Sequence, residues 1–283
     1  MKIGVSSYSF DKYMKQTGAN YLDICRIAKE IGFDAIEFID LSSSISGKDI
    51  ASTAREIREY CEEIGLEVSA YTVGANFLKG EASDEAARLK GCVDIAVELG
   101  AKVMRHDLCW GPRSTPGYTW RNAIAEAAPF IREVTEYAQS KGVRTCTENH
   151  GQFIQDPERV EELIRTVNHP NYGWLVDIGN FACADCDSLK AVATAIPYAF
   201  HVHAKDFLMK KGNEIDPGEG WFKSRGWNYL RGTVLGHGVI PVAQCIRMFK
   251  KAGYDGCLSL EFEGMEDNIT ALKAGHAYLR RFA

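Results

Sequence analysis

A short phrase recurs five times along this chain of 283 residues: the end of an amphipathic helix meets a glycine, and an apolar strand follows at once. The copies are AKEIGFDAIEF, CEEIGLEVSAY, AVELGAKVMRH, AQSKGVRTCTE and FKKAGYDGCLSLE, with the glycines at Gly32, Gly65, Gly100, Gly142 and Gly253. Glycine adopts the left-handed conformation that closes a helix without steric cost. Adding the opening IGVSSY and the apolar runs around Trp174 and Val202 gives eight strands, so the pattern predicts an α/β fold with a parallel sheet.

The number and spacing of these units favour a closed barrel over an open sheet. Seven intervals over 283 residues approach the ~30-residue βα unit of a (β/α)8 TIM barrel. No linker or low-complexity segment interrupts the pattern, so we expect residues 1–283 to form a single TIM-barrel domain. Two intervals are long, and the second, from about residue 207 to 240, carries Trp221, Trp227 and Tyr229 without obvious secondary structure. We expect residues 208–236 to act as a lid over the barrel, with a merely decorative insertion as the alternative.

Composition and charge argue against several classes of protein. A hydrophobic content of 46% with 25% charged residues is ordinary for a soluble globular protein. The net charge of -5 argues against a nucleic-acid partner, and no run approaches the ~18 apolar residues that span a membrane. The first apolar run is too short for a signal peptide. No phosphate-binding or dinucleotide-binding glycine motif is present, so we expect no nucleotide cofactor.

The nine cysteines are scattered through predicted helices and strands, which favours a reducing compartment, and we expect the cytoplasm. Cys183 and Cys186 are the one close pair, and they lack the second pair or histidine that would complete a zinc site.

Four polar residues each close a short apolar run: Glu148 in VRTCTENHG, Asp177 in YGWLVDIGN, His203 in AFHVHAKD and Glu261 in GCLSLEFEG. Buried carboxylates are costly unless they are paired or bound to a cation. Because the C-terminal ends of barrel strands form the active-site face, these side chains can converge. The set indicates one divalent metal ion, and oxygen ligands with one imidazole suit Mn²⁺, Mg²⁺ or Co²⁺. The alternative for any one of these residues is a hydrogen-bonded polar group at a strand end.

The motifs TENHG, VDIGN, HVHAKD, LGHG and LSLEFEG, in this order, resemble the xylose-isomerase-like TIM-barrel superfamily of sugar phosphate isomerases and epimerases. The resemblance covers essentially the whole chain. It implies that Glu148, Asp177, His203 and Glu261 are metal ligands, with Mn²⁺ as the first choice and Mg²⁺, Co²⁺ or Zn²⁺ as alternatives. It also implies that Glu148 and Glu261 exchange the substrate proton, one on each face of the reacting carbon. One departure is Asn180, where the ketose 3-epimerases carry a histidine, and this argues against simple free-ketose epimerisation but not against metal-assisted enolisation.

The chemistry implied by the resemblance is proton transfer next to a carbonyl group. A divalent cation stabilises the resulting enediolate by several kcal/mol, and two carboxylates on opposite sides allow removal on one face and return on the other. We therefore expect an isomerase or epimerase acting on a small sugar, sugar phosphate, inosose or related keto compound. A dehydratase of the inosose or dehydroshikimate type begins with the same enolisation and is the alternative.

Two further classes fit the sequence less well. A DNA-repair nuclease on the same barrel would need more inward histidines than a chain with seven histidines provides, and a basic face that the net charge of -5 does not favour. A non-catalytic sugar-binding barrel would not need the complete set of four metal ligands that this sequence predicts.

Seven more residues are predicted to contact a small carbohydrate or keto-acid substrate: His150, Asn180, Lys205, Arg231, His106, Glu37 and Trp110. The alternative role of His150 is to orient Glu148, and the alternative for Lys205 is a salt bridge with a neighbouring carboxylate. At least one of Glu37, Arg105 and His106, at the ends of the second and fourth strands, is expected to line the pocket. The sequence is also compatible with a homo-oligomer.

Overall fold

The computed structural model describes residues 1–283 and contains a closed barrel of parallel strands. Its eleven strands are β1 (Lys2–Ser6), β2 (Ala35–Ile39), β3 (Glu67–Val73), β4 (Val103–His106), β5 (Arg144–Glu148), β6 (Tyr172–Asp177), β7 (Ala199–Ala204), β8 (Phe207–Lys210), β9 (Phe222–Lys223), β10 (Tyr229–Gly232) and β11 (Cys257–Leu260). Eight of them form the barrel in the order β1-β11-β7-β6-β5-β4-β3-β2, and β1 closes it by pairing with both β11 and β2. The predicted (β/α)8 barrel is confirmed.

Helices surround the barrel and follow the predicted alternation with the strands. They are α1 (Asp11–Thr17), α2 (Tyr21–Ile31), α3 (Ser43–Ser46), α4 (Ile50–Ile64), α5 (Ala82–Leu99), α6 (Trp120–Ser140), α7 (Pro157–Val167), α8 (Ser188–Ala195), α9 (Val242–Lys251) and α10 (Asn268–Phe282). The five glycines of the recurring phrase all have positive φ angles, between 65° and 106°, as their position after a helix predicts. None of the helices is both long and apolar enough to cross a membrane.

Alternation along the strands separates an inner from an outer set of side chains. The inner set includes a small cluster of Ala70, Val103, Cys146 and Leu175. A much larger cluster of 71 buried residues fills the layer between strands and helices. Residues two positions beyond the inner cluster, such as Arg105, Glu148 and Asp177, therefore point toward the mouth of the barrel, which is the face formed by the C-terminal strand ends.

The long segment without obvious secondary structure in the sequence contains an antiparallel sheet in the order β8-β10-β9, called here the small sheet. Its strands of two to four residues, separated by glycines, leave no visible periodicity in the sequence. Asp185, in the loop after β6, fixes its turn by accepting hydrogen bonds from Ser224 Oγ and Asn228 Nδ2, both at 2.7 Å. Arg225 pairs with Asp156, in the loop after β5, at 2.5 Å. The small sheet is thus attached to two loops at the mouth.

Candidate metal centre and active site

Glu148, Asp177, His203 and Glu261 converge at the mouth of the barrel. One donor atom from each lies within 4.8 Å of the other three. His203 Nδ1 is 3.8 Å from Glu148 Oε1, 3.8 Å from Asp177 Oδ2 and 3.7 Å from Glu261 Oε2. These separations are compatible with a single cation bonded to each donor at about 2.1 Å.

The chemistry of this group fits a divalent cation. His203 Nδ1 and Asp177 Oδ2 are buried and make no hydrogen bond, although Lys205 Nζ forms an ion pair with Asp177 Oδ2 at 3.3 Å. A bound cation would satisfy both atoms. Burial alone would lower the pKa of His203, but Glu37 and Glu261 raise it well above its usual value. That shift reflects the negative charge concentrated around the ring. Three carboxylates and one imidazole are a typical donor set for Mn²⁺, Mg²⁺ or Co²⁺.

Backbone and amide groups fix the orientation of Asp177. Its Oδ1 atom accepts hydrogen bonds from Gly179 N at 2.8 Å and Asn180 N at 2.9 Å, and this leaves Oδ2 directed at the other three donors. Asn149 ties the end of β6 in place, since its Oδ1 accepts from Asp177 N at 3.0 Å and its Nδ2 donates to Asp177 O at 2.8 Å. Asp177 is therefore oriented by the fold itself.

Glu37 lies beneath the candidate metal centre and contacts two histidines of β7. Its Oε1 is 2.7 Å from His203 Nε2, and its Oε2 hydrogen-bonds with His201 Nε2 at 2.5 Å. Burial would raise the pKa of Glu37, but His203 and His201 lower it well below its usual value. Both oxygens of this fully buried side chain face imidazole rings. The structure therefore places Glu37 against His203 and His201, and the predicted contact between Glu37 and substrate is not seen.

Strand β4 presents Arg105, and not His106, to the mouth. Arg105 Nε donates a hydrogen bond to Glu148 Oε2 at 2.7 Å, and its side chain lines the cavity above the candidate metal centre. His106 is fully buried on the other face of β4, with its ring 6.0 Å from that of Phe77 and 5.9 Å from that of Tyr172. The predicted substrate contact of His106 is not seen in this structure, because side chains alternate along a strand and Arg105 occupies the inward position.

Lys205 and Asn180 connect the carboxylates of the candidate metal centre. Lys205 Nζ is 2.5 Å from Glu261 Oε2 and 3.3 Å from Asp177 Oδ2, and it donates to Asn180 Oδ1 at 3.2 Å. Asn180 Nδ2 in turn donates to Glu148 Oε1 at 2.9 Å. Burial would lower the pKa of Lys205, but Asp177, Glu261 and Glu263 raise it well above its usual value. The neighbouring carboxylates therefore favour the charged form of Lys205.

A cleft opens above these residues in two adjoining parts of about 340 and 410 Å³, which share Tyr8, His150, Lys205 and Glu263. His150 therefore lies where a substrate would be bound, and so does Asn180 in the second part. Trp110 lies at the rim with 58% of its surface exposed, and its ring packs edge-on against that of His150 at 5.4 Å.

Arg231, on β10, does not line this cleft. Its Nη2 atom is 3.3 Å from Glu266 Oε1, and its Nη1 contacts the sulfur of Met265. The predicted contact between Arg231 and a substrate would require the small sheet to move, so it remains part of the lid hypothesis.

Sequence reasoning did not assign a role to Tyr8, Asp40, Asp107 or Glu263, which also line the cleft. The sequence could have predicted that Glu263 faces the cleft, since it lies two residues after Glu261 and therefore on the same side of the chain. Tyr8 lies two residues after β1 and Asp107 one residue after β4, and positions just beyond strand ends are where barrel enzymes place functional groups.

Comparisons with known proteins agree with this architecture. Residues 25–282 match the family model described as xylose isomerase-like TIM barrel. The chain is 24% identical over 187 residues to the inosose dehydratase of Clostridium perfringens, covering 60% of each protein. It spans only 54–60% of the length of the curated relatives it matches.

Two solved structures share the fold across nearly the whole chain. A probable 3-DHS dehydratase from Bacillus anthracis superposes with a TM-score of 0.76 at 19% identity, covering 99% of both chains. A xylose isomerase-like TIM barrel protein from Mycobacterium smegmatis in complex with magnesium superposes with a TM-score of 0.73 at 19% identity, covering 99% of this chain and 96% of that one. At 19% identity, the similarity to these two structures shows that this chain has the same fold.

Proposed function

The chain belongs to the xylose isomerase-like TIM barrel family, and on that premise we propose that it is a divalent-metal-dependent isomerase or epimerase of a small sugar, sugar phosphate, inosose or related keto compound. The observation that carries the proposal is the convergence of donor atoms from Glu148, Asp177, His203 and Glu261 at the mouth of the barrel. Mn²⁺ is the first choice of ion, with Mg²⁺, Co²⁺ and Zn²⁺ as alternatives. When bound, the ion supplies Lewis-acid polarisation of a substrate carbonyl oxygen.

Glu148 and Glu261 are the proposed catalytic pair. Glu148 ends β5 and Glu261 follows β11, and β6 and β7 lie between these strands in the barrel. A substrate held between the two carboxylates would present opposite faces to them, so one would remove the proton alpha to the carbonyl and the other would return it. Arg105 and Asn180 each hold one oxygen of Glu148, and Lys205 holds Glu261. The pair is therefore oriented before a substrate arrives.

A dehydratase is the second candidate, and the position of His150 favours it. The side chain of His150 lines the cleft two residues after Glu148, and its Nδ1 lies 3.4 Å from Asp107 Oδ1. Burial would lower the pKa of His150, but Asp107 raises it above its usual value. A protonated imidazole next to the proposed base is the extra acid that the departure of a hydroxyl group requires. Similarity to an inosose dehydratase supports the same alternative.

Metal analysis combined with solvent exchange tests the proposal. Wild-type protein, His203→Ala and the control His169→Ala would be loaded identically and their metal content measured. His169 lies in the loop before β6, at the end of the strand opposite to Asp177. We expect about one ion per chain in wild type and control and a clear loss in His203→Ala. Equal metal in all three proteins would remove His203 from the site.

The loaded wild type would then be incubated in heavy water with ketoses, inososes, sugar phosphates and keto acids. Deuterium at the alpha carbon is expected for the substrate class, and the products separate the two candidates, because an epimer keeps its mass while a dehydration product loses water. Failure of every carbonyl compound to exchange would contradict the enolisation proposal.

We also propose that the protein works in a reducing compartment, with the cytoplasm as the first choice. All nine cysteines are unpaired, and most of them are buried in helices and strands of the barrel. Proteins of oxidising compartments more often pair their cysteines as disulfides.

A further inference from the structure

The charges that line the cleft constrain the substrate more tightly than the fold does. Six carboxylates belong to the cleft and the candidate metal centre: Asp40, Asp107, Glu148, Asp177, Glu261 and Glu263. Two basic side chains, Arg105 and Lys205, accompany them. Even with a bound divalent ion, the carboxylate groups would outnumber the formal positive charges of the site by six to four.

Both cations already have carboxylate partners. Arg105 Nε donates to Glu148 Oε2 at 2.7 Å, and its Nη1 lies 3.4 Å from Asp107 Oδ2. Only 11% of the Arg105 side chain is exposed, so little of the guanidinium group remains for a ligand. Lys205 Nζ contacts Glu261 Oε2 at 2.5 Å and Glu263 Oε2 at 3.5 Å. An anionic ligand would have to break these pairs or remain without a cation of its own.

The other cations around the mouth are committed elsewhere. Arg231 pairs with Glu266, and Arg225 pairs with Asp156. Lys223 lies over the ring of Trp227 at 4.4 Å and does not line the cleft. Phosphate and carboxylate recognition depends on charge-assisted donors, usually a bidentate arginine, and no free one faces the cleft.

Hydroxyl groups, by contrast, would find suitable partners. Asp40 and Glu263 present carboxylates to the cleft, and an O–H donor to a carboxylate forms a short, strong hydrogen bond. Tyr8, Thr72 and Gln152 add neutral groups that both donate and accept. The lining is therefore complementary to a molecule with many hydroxyl groups and no negative charge.

We infer that the substrate of this site is an uncharged polyhydroxylated carbonyl compound, such as an inosose, and that like charge excludes phosphate esters and keto acids. The inference rests on the proposed function and narrows its substrate class. Glu263 is the specificity-determining residue, because it faces the cleft from both parts and is not one of the proposed metal ligands.

Binding of matched neutral and anionic probes to the manganese-loaded protein tests this inference. The pairs are D-fructose with D-fructose 6-phosphate, and 2-keto-myo-inositol with 3-dehydroshikimate, measured by isothermal titration calorimetry. We expect the neutral member of at least one pair to bind on the order of tenfold more tightly than its anionic partner, because juxtaposed like charges cost affinity. Glu263→Gln should reduce that preference, whereas Glu59→Gln, on the exposed face of α4, should leave it unchanged.

Anionic members that bind as tightly as their neutral partners, or neutral members that do not bind, would overturn the inference. Deuterium exchange on the same samples judges the proposed function separately. A sugar phosphate or keto acid that binds more tightly and exchanges its alpha proton would reject the neutral substrate and leave the enolisation proposal standing. A neutral compound that binds selectively but does not exchange its alpha proton would support the neutral substrate and count against the enolisation proposal.

Discussion

Glu37 Oε1 lies 2.7 Å from His203 Nε2, and the opposite ring nitrogen of His203 faces the three carboxylates of the candidate metal centre. The two ring nitrogens of His203 therefore have different partners: Nε2 faces Glu37, and Nδ1 faces the candidate metal centre. A carboxylate next to Nε2 favours the tautomer with its proton there, so the lone pair of Nδ1 is left for a cation. We therefore predict that Glu37 acts on the site through His203.

Replacing Glu37 by glutamine should weaken metal binding while the barrel remains folded. Removing a partner of this kind from a metal-ligating histidine typically costs 10–100-fold in affinity, and we expect a loss of about that size. Calorimetric titration of Mn²⁺ into Glu37→Gln and into the exposed control Glu59→Gln measures it, with circular dichroism to verify folding. An unchanged dissociation constant in folded Glu37→Gln would show that Glu37 does not position the ligand.

Asp206 is expected to matter for stability, since it organises the turn after β10. Its Oδ2 accepts hydrogen bonds from Gly236 N and Gly238 N, both at 2.9 Å, and its Oδ1 accepts from Phe207 N at 2.9 Å and Ile240 N at 3.1 Å. Asp206→Asn would turn an amide donor toward backbone N–H groups. We expect a loss of about 1–3 kcal/mol in the free energy of unfolding.

Thermal or urea unfolding checks this prediction. The matched control is Asp216→Asn, because Asp216 is exposed and accepts one backbone hydrogen bond, from Gly218 N at 2.9 Å. A loss of stability in Asp206→Asn no greater than in the control would mean that the turn does not depend on the carboxylate.

The attachment of the small sheet should depend on pH through Asp185. Partial burial would raise the pKa of Asp185, but hydrogen bonds from Ser224, Asn228 and Gly226 lower it below its usual value. A carboxylate whose pKa is lower in the folded than in the unfolded state contributes its full stabilisation of the fold above the unfolded pKa of about 3.9. It loses this contribution as the pH falls through its pKa in the folded state. Hydrogen exchange of residues 222–232, corrected for intrinsic rates, should therefore accelerate below about pH 4.

The variant Asp185→Asn isolates this effect from other carboxylates that titrate in the same range. It should exchange faster than wild type at neutral pH and should lack the acid step in residues 222–232. A step of equal size in both proteins would assign the pH dependence to another group.

The barrel itself could be predicted from the sequence because each unit repeats the same local signals. A glycine with positive φ and an apolar run mark every one of the five recurring junctions, and periodicity of this kind survives without tertiary information. The four proposed ligands could be brought together for the same reason, since strand C-termini of a closed barrel meet on one face.

Other features depended on information that local patterns do not carry. In MRHD, either Arg105 or His106 could have faced inward until the register of β4 placed Val103 and Arg105 on the inner side. The contact of Glu37 with His203 joins residues 166 positions apart in the chain, and only the closed barrel brings β2 and β7 to that distance. The small sheet was hidden because its strands are short and paired across a glycine-rich segment.

The lid hypothesis predicts protection on binding. Residues 208–236 should exchange more slowly when a saturating substrate is present, because closure would shield a reactive intermediate from water. The small sheet reaches the cleft through Phe222, which lines it and is 38% exposed. Arg231→Ala should reduce substrate binding if closure brings the guanidinium group to the ligand. Identical exchange in this segment with and without saturating substrate would reject the lid.

The central claim is that Glu148 and Glu261 both transfer the substrate proton, and solvent deuterium incorporation in Glu148→Gln and Glu261→Gln tests it most directly. Glutamine keeps the shape and one acceptor oxygen but is not a base, so the change separates proton transfer from metal binding when metal occupancy is measured on the same samples. We expect incorporation at the alpha carbon to fall by about 10²–10⁴-fold in each fully loaded variant. A fully loaded Glu148→Gln or Glu261→Gln protein that exchanges the proton at the wild-type rate from both directions would contradict the two-carboxylate account.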